Sequence, residues 1–126
     1  MRYVDGFLIP VPKKKLAAYR KMAATGGKIW MKHGALDYME CVGDDIGKKD
    51  WQNVTFADAA SAKQTETVIF SFIIFKSRKH RDQVNKKVMA DPAMAPEKWE
   101  GKAMPFDMKR MAYGGFKAIV DVQAKA

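Results

Sequence analysis

The hydrophobic pattern of the chain is densest in one run, Glu66-Thr67-Val68-Ile69-Phe70-Ser71-Phe72-Ile73-Ile74-Phe75. On an extended backbone Val68, Phe70, Phe72 and Ile74 point to one side, and Ile69, Ile73 and Phe75 to the other. A strand with two apolar faces has to be covered twice. Helices of the same chain can cover one face. A second copy of the protein is the expected cover for the other.

The rest of the pattern supplies partners for that strand. Tyr3 to Ile9, rich in aromatic and β-branched residues, predicts a first strand stopped by Pro10 and Pro12. Leu16, Tyr19, Ala23, Gly26 and Trp30 recur at three- and four-residue steps, one face of an amphipathic helix. Gly26-Gly27 weakens its middle and points to close packing against a sheet. Lys32-His33-Gly34 then closes it with cations and a glycine cap. Leu36 to Val42 predicts a second strand, residues 43–53 a polar loop, and residues 54–63 a short extended piece and a turn or part-helix. After the strand at 68–75, Ser77 suits the N-cap of a helix reaching Ala90, and Asp91-Pro92 stops it. Residues 93–105 are expected to be irregular. Arg110 to Val122 predicts the last strand, kinked or closely approached at Gly114-Gly115. The order β-α-β-β-α-β predicts an α+β, ferredoxin-like domain over residues 1–122, with a frayed tail at 123–126. Its two helices cover one face of the antiparallel sheet, and the bare faces of two such sheets can pair.

Composition refines this picture in a few places. At 126 residues, 48% of them apolar, the chain suits one domain with a real core. No apolar run is long enough to span a membrane. The start, Met1-Arg2-Tyr3-Val4-Asp5-Gly6, is unlike a secretory leader, so a cytoplasmic location is expected. The single cysteine, Cys41, excludes an intrachain disulfide framework. Lys and Arg number 23 against 14 Asp and Glu, a net charge of +9. The lysines are spread over both helices and the tail and form no stripe, which reads first as solvated surface and second as a polyanion site.

Several segments carry a resemblance. Tyr3-Val4-Asp5-Gly6-Phe7, Glu40-Cys41, Arg81-Asp82 with Asn85, Met89 with Asp91-Pro92 and Met94, Met104-Pro105-Phe106-Asp107, and Arg110-Met111-Ala112-Tyr113-Gly114-Gly115-Phe116 resemble the YbaA-like family of bacterial proteins. The likeness runs nearly end to end, and its last block is the most specific. It implies the ferredoxin-like fold and pairing as a dimeric α+β barrel. That family has no established activity, so the resemblance transfers no catalytic role. The barrel superfamily includes cofactor-free monooxygenases, haem enzymes and ligand binders. The loop Ile46-Gly47-Lys48-Lys49-Asp50-Trp51 departs from the shorter loop the resemblance implies.

Among polar side chains the second helix holds the best clue. Val84, Val88 and Met89 define its inward arc, with Asn85 inside it and Arg81 one turn earlier. Buried polar groups need partners. Either Arg81 and Asn85 line a pocket that holds an anionic or carbonyl-bearing ligand, or Arg81 pairs with Glu40 or Asp5 while Asn85 ties down a loop carbonyl. His33, in the last turn of the first helix, is a cap or a proton-transfer group, and His80 is expected to be solvated. Asp5 shares the face of Tyr3, Phe7 and Ile9, as a partner for a cation or as a base. Arg110 and Tyr113 are three apart and would face opposite sides of a strand, with Arg110 pairing with Asp107. Cys41 reads as packing, and the nine methionines suit an adaptable pocket or core filling. Asp44, Asp45 and Asp50 lack a calcium-loop pattern, one Cys and two distant His give no zinc spacing, and haem ligation by His33 has no supporting motif. No metal and no cofactor are therefore expected.

The leading reading is a cytoplasmic homodimer whose helix–sheet cleft takes a small, partly apolar molecule. Glu40, Arg81, Asn85 and Tyr113 are the lining candidates, with His33 or Asp5 for proton transfer. If it is an enzyme, metal-free oxygenation or isomerisation is the class implied. The alternatives are a module that binds RNA or another polyanion through the basic helices, and a dimeric interaction protein with no ligand. Phe70, Phe72 and Phe75 are expected in the core, which leaves no aromatic platform for bases.

Overall fold

The computed structural model describes residues 1–95 and 104–125. Its elements in chain order are β1 (Tyr3–Pro12), α1 (Leu16–Lys32), β2 (Asp37–Val42), α2 (Phe56–Ala59), β3 (Glu66–Phe75), α3 (Arg78–Ala90) and β4 (Ala112–Lys117). The four strands form one antiparallel sheet in the order β2-β3-β1-β4, with the oily strand β3 in an inner position. This is the α+β arrangement expected, with the one-turn helix α2 added. Thr55 caps α2 through a reciprocal pair of bonds with Asp58, a capping box not singled out in the sequence.

Two boundaries differ from expectation. β1 continues through Pro10 and Pro12, since the register runs on to Pro10 opposite Val68 and Pro12 opposite Glu66. Lys13 N–H donates to Thr65 O, whereas Ala118 N–H donates to Arg2 O. Odd positions of β1 therefore address β3 and even positions address β4. β4 starts opposite Leu8, so a missing N–H at Pro10 or Pro12 breaks no ladder bond. The last strand is shorter than 110–122. Residues Met108–Arg110 form a 3-10 turn capped by Asp107, whose carboxylate accepts from Lys109 N–H at 3.0 Å. Beyond Lys117, Arg2 and Asp121 form an ion pair that ties the chain back to β1, while Ile119, Val120 and Val122 are exposed. The expectation for residues 93–105 resolves only in part: Pro92–Met94 form a 3-10 turn, and residues 96–103 lie outside those described.

The register places Tyr3, Asp5, Phe7, Ile9 and Val11 on the same sheet face as Ile69, Ser71, Ile73 and Phe75. Tyr38 and Glu40 join them from β2. The helices cover this face, and its core falls into two clusters. One gathers Tyr3, Ile29, Ala35, Ile73 and Phe75 with Val84 and Val88 of α3, and the other gathers Ile9, Val11 and Ile69 with Tyr19 and Ala23 of α1. Phe7 packs against both. Met89, expected on the inward arc of α3, is 62% exposed; one residue past Val88 is already a 100° turn away. The opposite face carries Val4, Leu8, Met39, Cys41, Phe70, Phe72, Ile74 and Phe116, and among the described residues only its end near Val68 is covered, where Phe56 sets its ring against Phe70.

Candidate functional site

The two core clusters do not close completely. Between α1, the helix-side face of the sheet and residues 104–111 lies a cavity of about 330 Å³, at the small end of ligand-sized pockets. Its origin is legible in the chain. Ser71 is the one polar residue between Val68 and Phe75, and it faces the helices, opposite Phe7 on one side and Glu40 on the other. A serine among Ile69, Ile73 and Phe75 leaves a gap that an isoleucine would fill. Phe7, Trp30, Phe106, Met22, Met94 and Met111 wall that gap.

Among the described residues, Glu40 is the carboxylate of the cavity wall. Tyr19 O–H donates to Oε1 and Tyr38 O–H donates to Oε2, each at 2.7 Å. Tyr38 reaches it from two residues away on the same strand face, and Tyr19 from the buried face of α1. Burial, reinforced by the hydrogen bond to Glu40, pushes both phenols well above the ordinary tyrosine range, so both remain donors at neutral pH. Gly27 allows this approach. A Cβ there would stand 2.8 Å from Tyr38 Cδ1, so any side chain would push α1 off the ring. Neither tyrosine stands out in the sequence as a polar partner, although the Tyr38–Glu40 spacing on a strand was available as a signal.

The other three lining candidates sit elsewhere. Arg81 donates to Asp5 Oδ1 at 2.7 Å, to Tyr113 Oη at 3.0 Å and to Asp82 Oδ1 at 2.8 Å, and its guanidinium lies 5.0 Å from the Tyr3 ring centroid. Asp5 is 2% exposed and is neutralised there. Arg81 and Tyr113 are thus brought together with Asp5 and kept apart from Glu40. Asn85 accepts from Trp30 Nε1 at 3.0 Å, so it steadies an indole of the cavity wall and, among the described residues, ties down no loop carbonyl. His33 pairs with Asp91 at 2.7 Å, and Asp91 also accepts from Lys32 Nζ and Ala93 N–H, which fastens the ends of α1 and α3 together. Asp91 is held far below the carboxylate range by these bonds, that to Ala93 N–H foremost. His80 is half-buried and not simply solvated: its Nδ1 accepts from Lys76 N–H and its ring meets Phe75 edge-on. Arg110 forks onto Glu66 and reaches Ser61 O, so its carboxylate partner is Glu66 and not Asp107. Cys41 is half-buried on the uncovered sheet face, and Asp45 pairs with Lys49.

The Glu66 lock makes a pH prediction. Its bonds from Arg110 and from Lys63 N–H lower Glu66 from 4.5 to about 2. A carboxylate lowered on folding adds stability above its unfolded value and loses it as pH falls through the folded one. The Arg110–Glu66 contribution is therefore complete above pH 4.5 and disappears between there and pH 2. Urea midpoints measured from pH 7 down to 3 should fall less steeply for Glu66→Gln than for the parent chain. Parallel curves would remove this assignment.

Comparisons with known proteins agree with the resemblance in the sequence. The family described as "Protein of unknown function (DUF1428)" matches residues 2–108. The protein "Uncharacterized protein YbaA" of Escherichia coli (strain K12) is 45% identical over 121 residues, covering 96% of this chain and 99% of that one, and the protein of the same name from Shigella flexneri matches to the same extent. A solved structure, "De novo designed protein Foldit4", overlaps 94% of this chain and 99% of its own with a TM-score of 0.44 at 9% identity. That likeness carries no argument, and the fold rests on the sheet order and register. No helix among the described residues is long and apolar enough to cross a membrane. With a family match across most of its length and relatives at 45% identity end to end, the chain belongs to the DUF1428 family of proteins of unknown function.

Proposed function

We propose that this protein binds a small, mainly apolar molecule in the cavity between α1, the sheet and residues 104–111. One observation carries the reading: a partly open cavity of about 330 Å³ lies against the core of a 126-residue chain, walled among the described residues by aromatic and methionine side chains, with Glu40 and Ser71 among its polar groups. Apolar volume left open weakens the fold that contains it. Methionine walls adapt to varied shapes. If the bound molecule is also converted, Glu40 is the group placed to move a proton, as in an isomerisation. Asp5 and His33 are held by Arg81 and Asp91 and do not line the cavity. The test is calorimetric titration with neutral arylalkyl alcohols such as 3-phenylpropan-1-ol, comparing the parent chain with Ser71→Leu. The parent is expected to bind, and Ser71→Leu to lose roughly tenfold or more in affinity while melting no lower. Silence across such a panel from folded protein, or equal binding by Ser71→Leu, would remove the proposal.

A second reading concerns the uncovered sheet face. Phe70 is 47% exposed and Phe116 63%, which corrects the expectation that Phe70 belongs to the core. An apolar area of this kind on a sheet marks a contact surface. The strand positions of this face include no Lys or Arg, so they offer phosphates no partner and let a second +9 chain approach without close repulsion. These facts favour a homodimer over a polyanion site. Sedimentation at micromolar concentration should show the dimer; a stable monomer would eliminate it.

A further inference from the structure

Among the described residues, the buried and half-buried carboxylates are matched with cations, with one exception. Asp5 has Arg81, Glu66 has Arg110, Asp91 has His33 and Lys32, and Asp121 has Arg2. Glu40 is half-buried at the cavity wall, yet among the described residues its hydrogen-bond partners are two uncharged phenols and it forms no ion pair. Arg20 and Lys28 line a second groove that shares Tyr19, Tyr38 and Glu40 with the cavity, and neither forms an ion pair with Glu40. Each Glu40 oxygen accepts one phenolic bond and keeps a further acceptor position. The carboxylate is thus oriented, half-buried and without an ion-pair partner among the described residues. Beside it stand the rings of Phe7, Tyr19, Trp30 and Tyr38, whose negative faces attract cations.

We infer that Glu40 selects a ligand bearing an ammonium group on an aromatic or branched apolar body, the apolar part filling the cavity and the N–H groups donating to Glu40. This rests on the cavity being a binding site and adds the ligand class. The same charge rejects carboxylates, the reverse of the anion-binding role open to Arg81 in the sequence. In a site of low dielectric, unlike charges attract and like charges repel strongly enough to dominate discrimination between molecules of one shape.

The experiment is a matched series at pH 7: 3-phenylpropylamine, 3-phenylpropan-1-ol and 3-phenylpropionate, titrated calorimetrically into the parent chain and into Glu40→Gln. The parent is expected to bind the ammonium roughly tenfold more tightly than the alcohol, and the carboxylate more weakly still. Glu40→Gln is expected to erase the ammonium-to-alcohol ratio. An alcohol binding as well as or better than the ammonium overturns the inference and leaves the cavity proposal intact. So does a ratio that survives Glu40→Gln. No binding by any of the three overturns both. The parent-chain series decides by itself if Glu40→Gln does not fold.

Discussion

Replacing Arg81 with alanine should destabilise the fold by about 3–5 kcal/mol, the range for leaving a buried ion-pair partner uncompensated. The reason is Asp5, 2% exposed on the helix side of the inner strand β1, whose oxygen accepts from the guanidinium at 2.7 Å. A carboxylate at that depth has either a cation or a large desolvation cost. Against a total stability of about 5–15 kcal/mol, the loss is severe. Arg81→Lys keeps the charge, loses the fork that also reaches Tyr113 and Asp82, and should fall in between. The double change Asp5→Asn with Arg81→Met removes both charges and should recover much of the loss. Urea unfolding of the four proteins tests this; an Arg81→Ala variant within about 1 kcal/mol of the parent would show that the pair contributes no more than a surface bridge.

The second large effect separates two phenylalanines of one strand. Phe75 is fully buried between the sheet and α3, and Phe75→Ala should cost about 3–5 kcal/mol from lost burial and the cavity left behind. Phe70 lies on the uncovered face, 47% exposed, and Phe70→Ala should cost the protomer far less. It should instead weaken the proposed homodimer, because an exposed aromatic ring within an apolar contact carries much of the binding energy. Unfolding at low concentration reads the first effect, and sedimentation reads the second. Equal destabilisation by both changes, with no change in mass distribution, would contradict the division of the strand into a fold-building face and an assembly face.

Local signals in the chain announced most of the architecture. Period-2 and period-3.6 patterns placed every principal strand and helix, and Ser77, Asp91-Pro92 and Gly34 marked their ends. Gly34 does adopt the left-handed conformation, at φ 108°. Where the structure departs from the local pattern, the deciding information is long-range. Pro10 and Pro12 look like strand breakers until one knows that β4 pairs only as far as Leu8. Arg110 looks like a partner for nearby Asp107 until the fold brings Glu66, 44 positions away, onto its guanidinium.

The candidate site divides in the same way. Glu40 was legible as a strand carboxylate and lining candidate, the inward face of α1 was legible from spacing, and so was the need of Arg81 and Asn85 for partners. Which partners they have was not. Arg81 took Asp5 and Tyr113, and Asn85 took Trp30, so both left the ligand question to Glu40. By itself the chain determined the order of elements, the two apolar faces of β3 and the polar residues that burial would force into pairs, because those follow from side-chain period and local backbone preference. Only the tertiary structure decided which charges cancel, that Glu40 is left with two phenols, and that a cavity opens over Ser71. Pairing and emptiness depend on distances between residues far apart in the chain, and sequence periodicity carries no record of those distances.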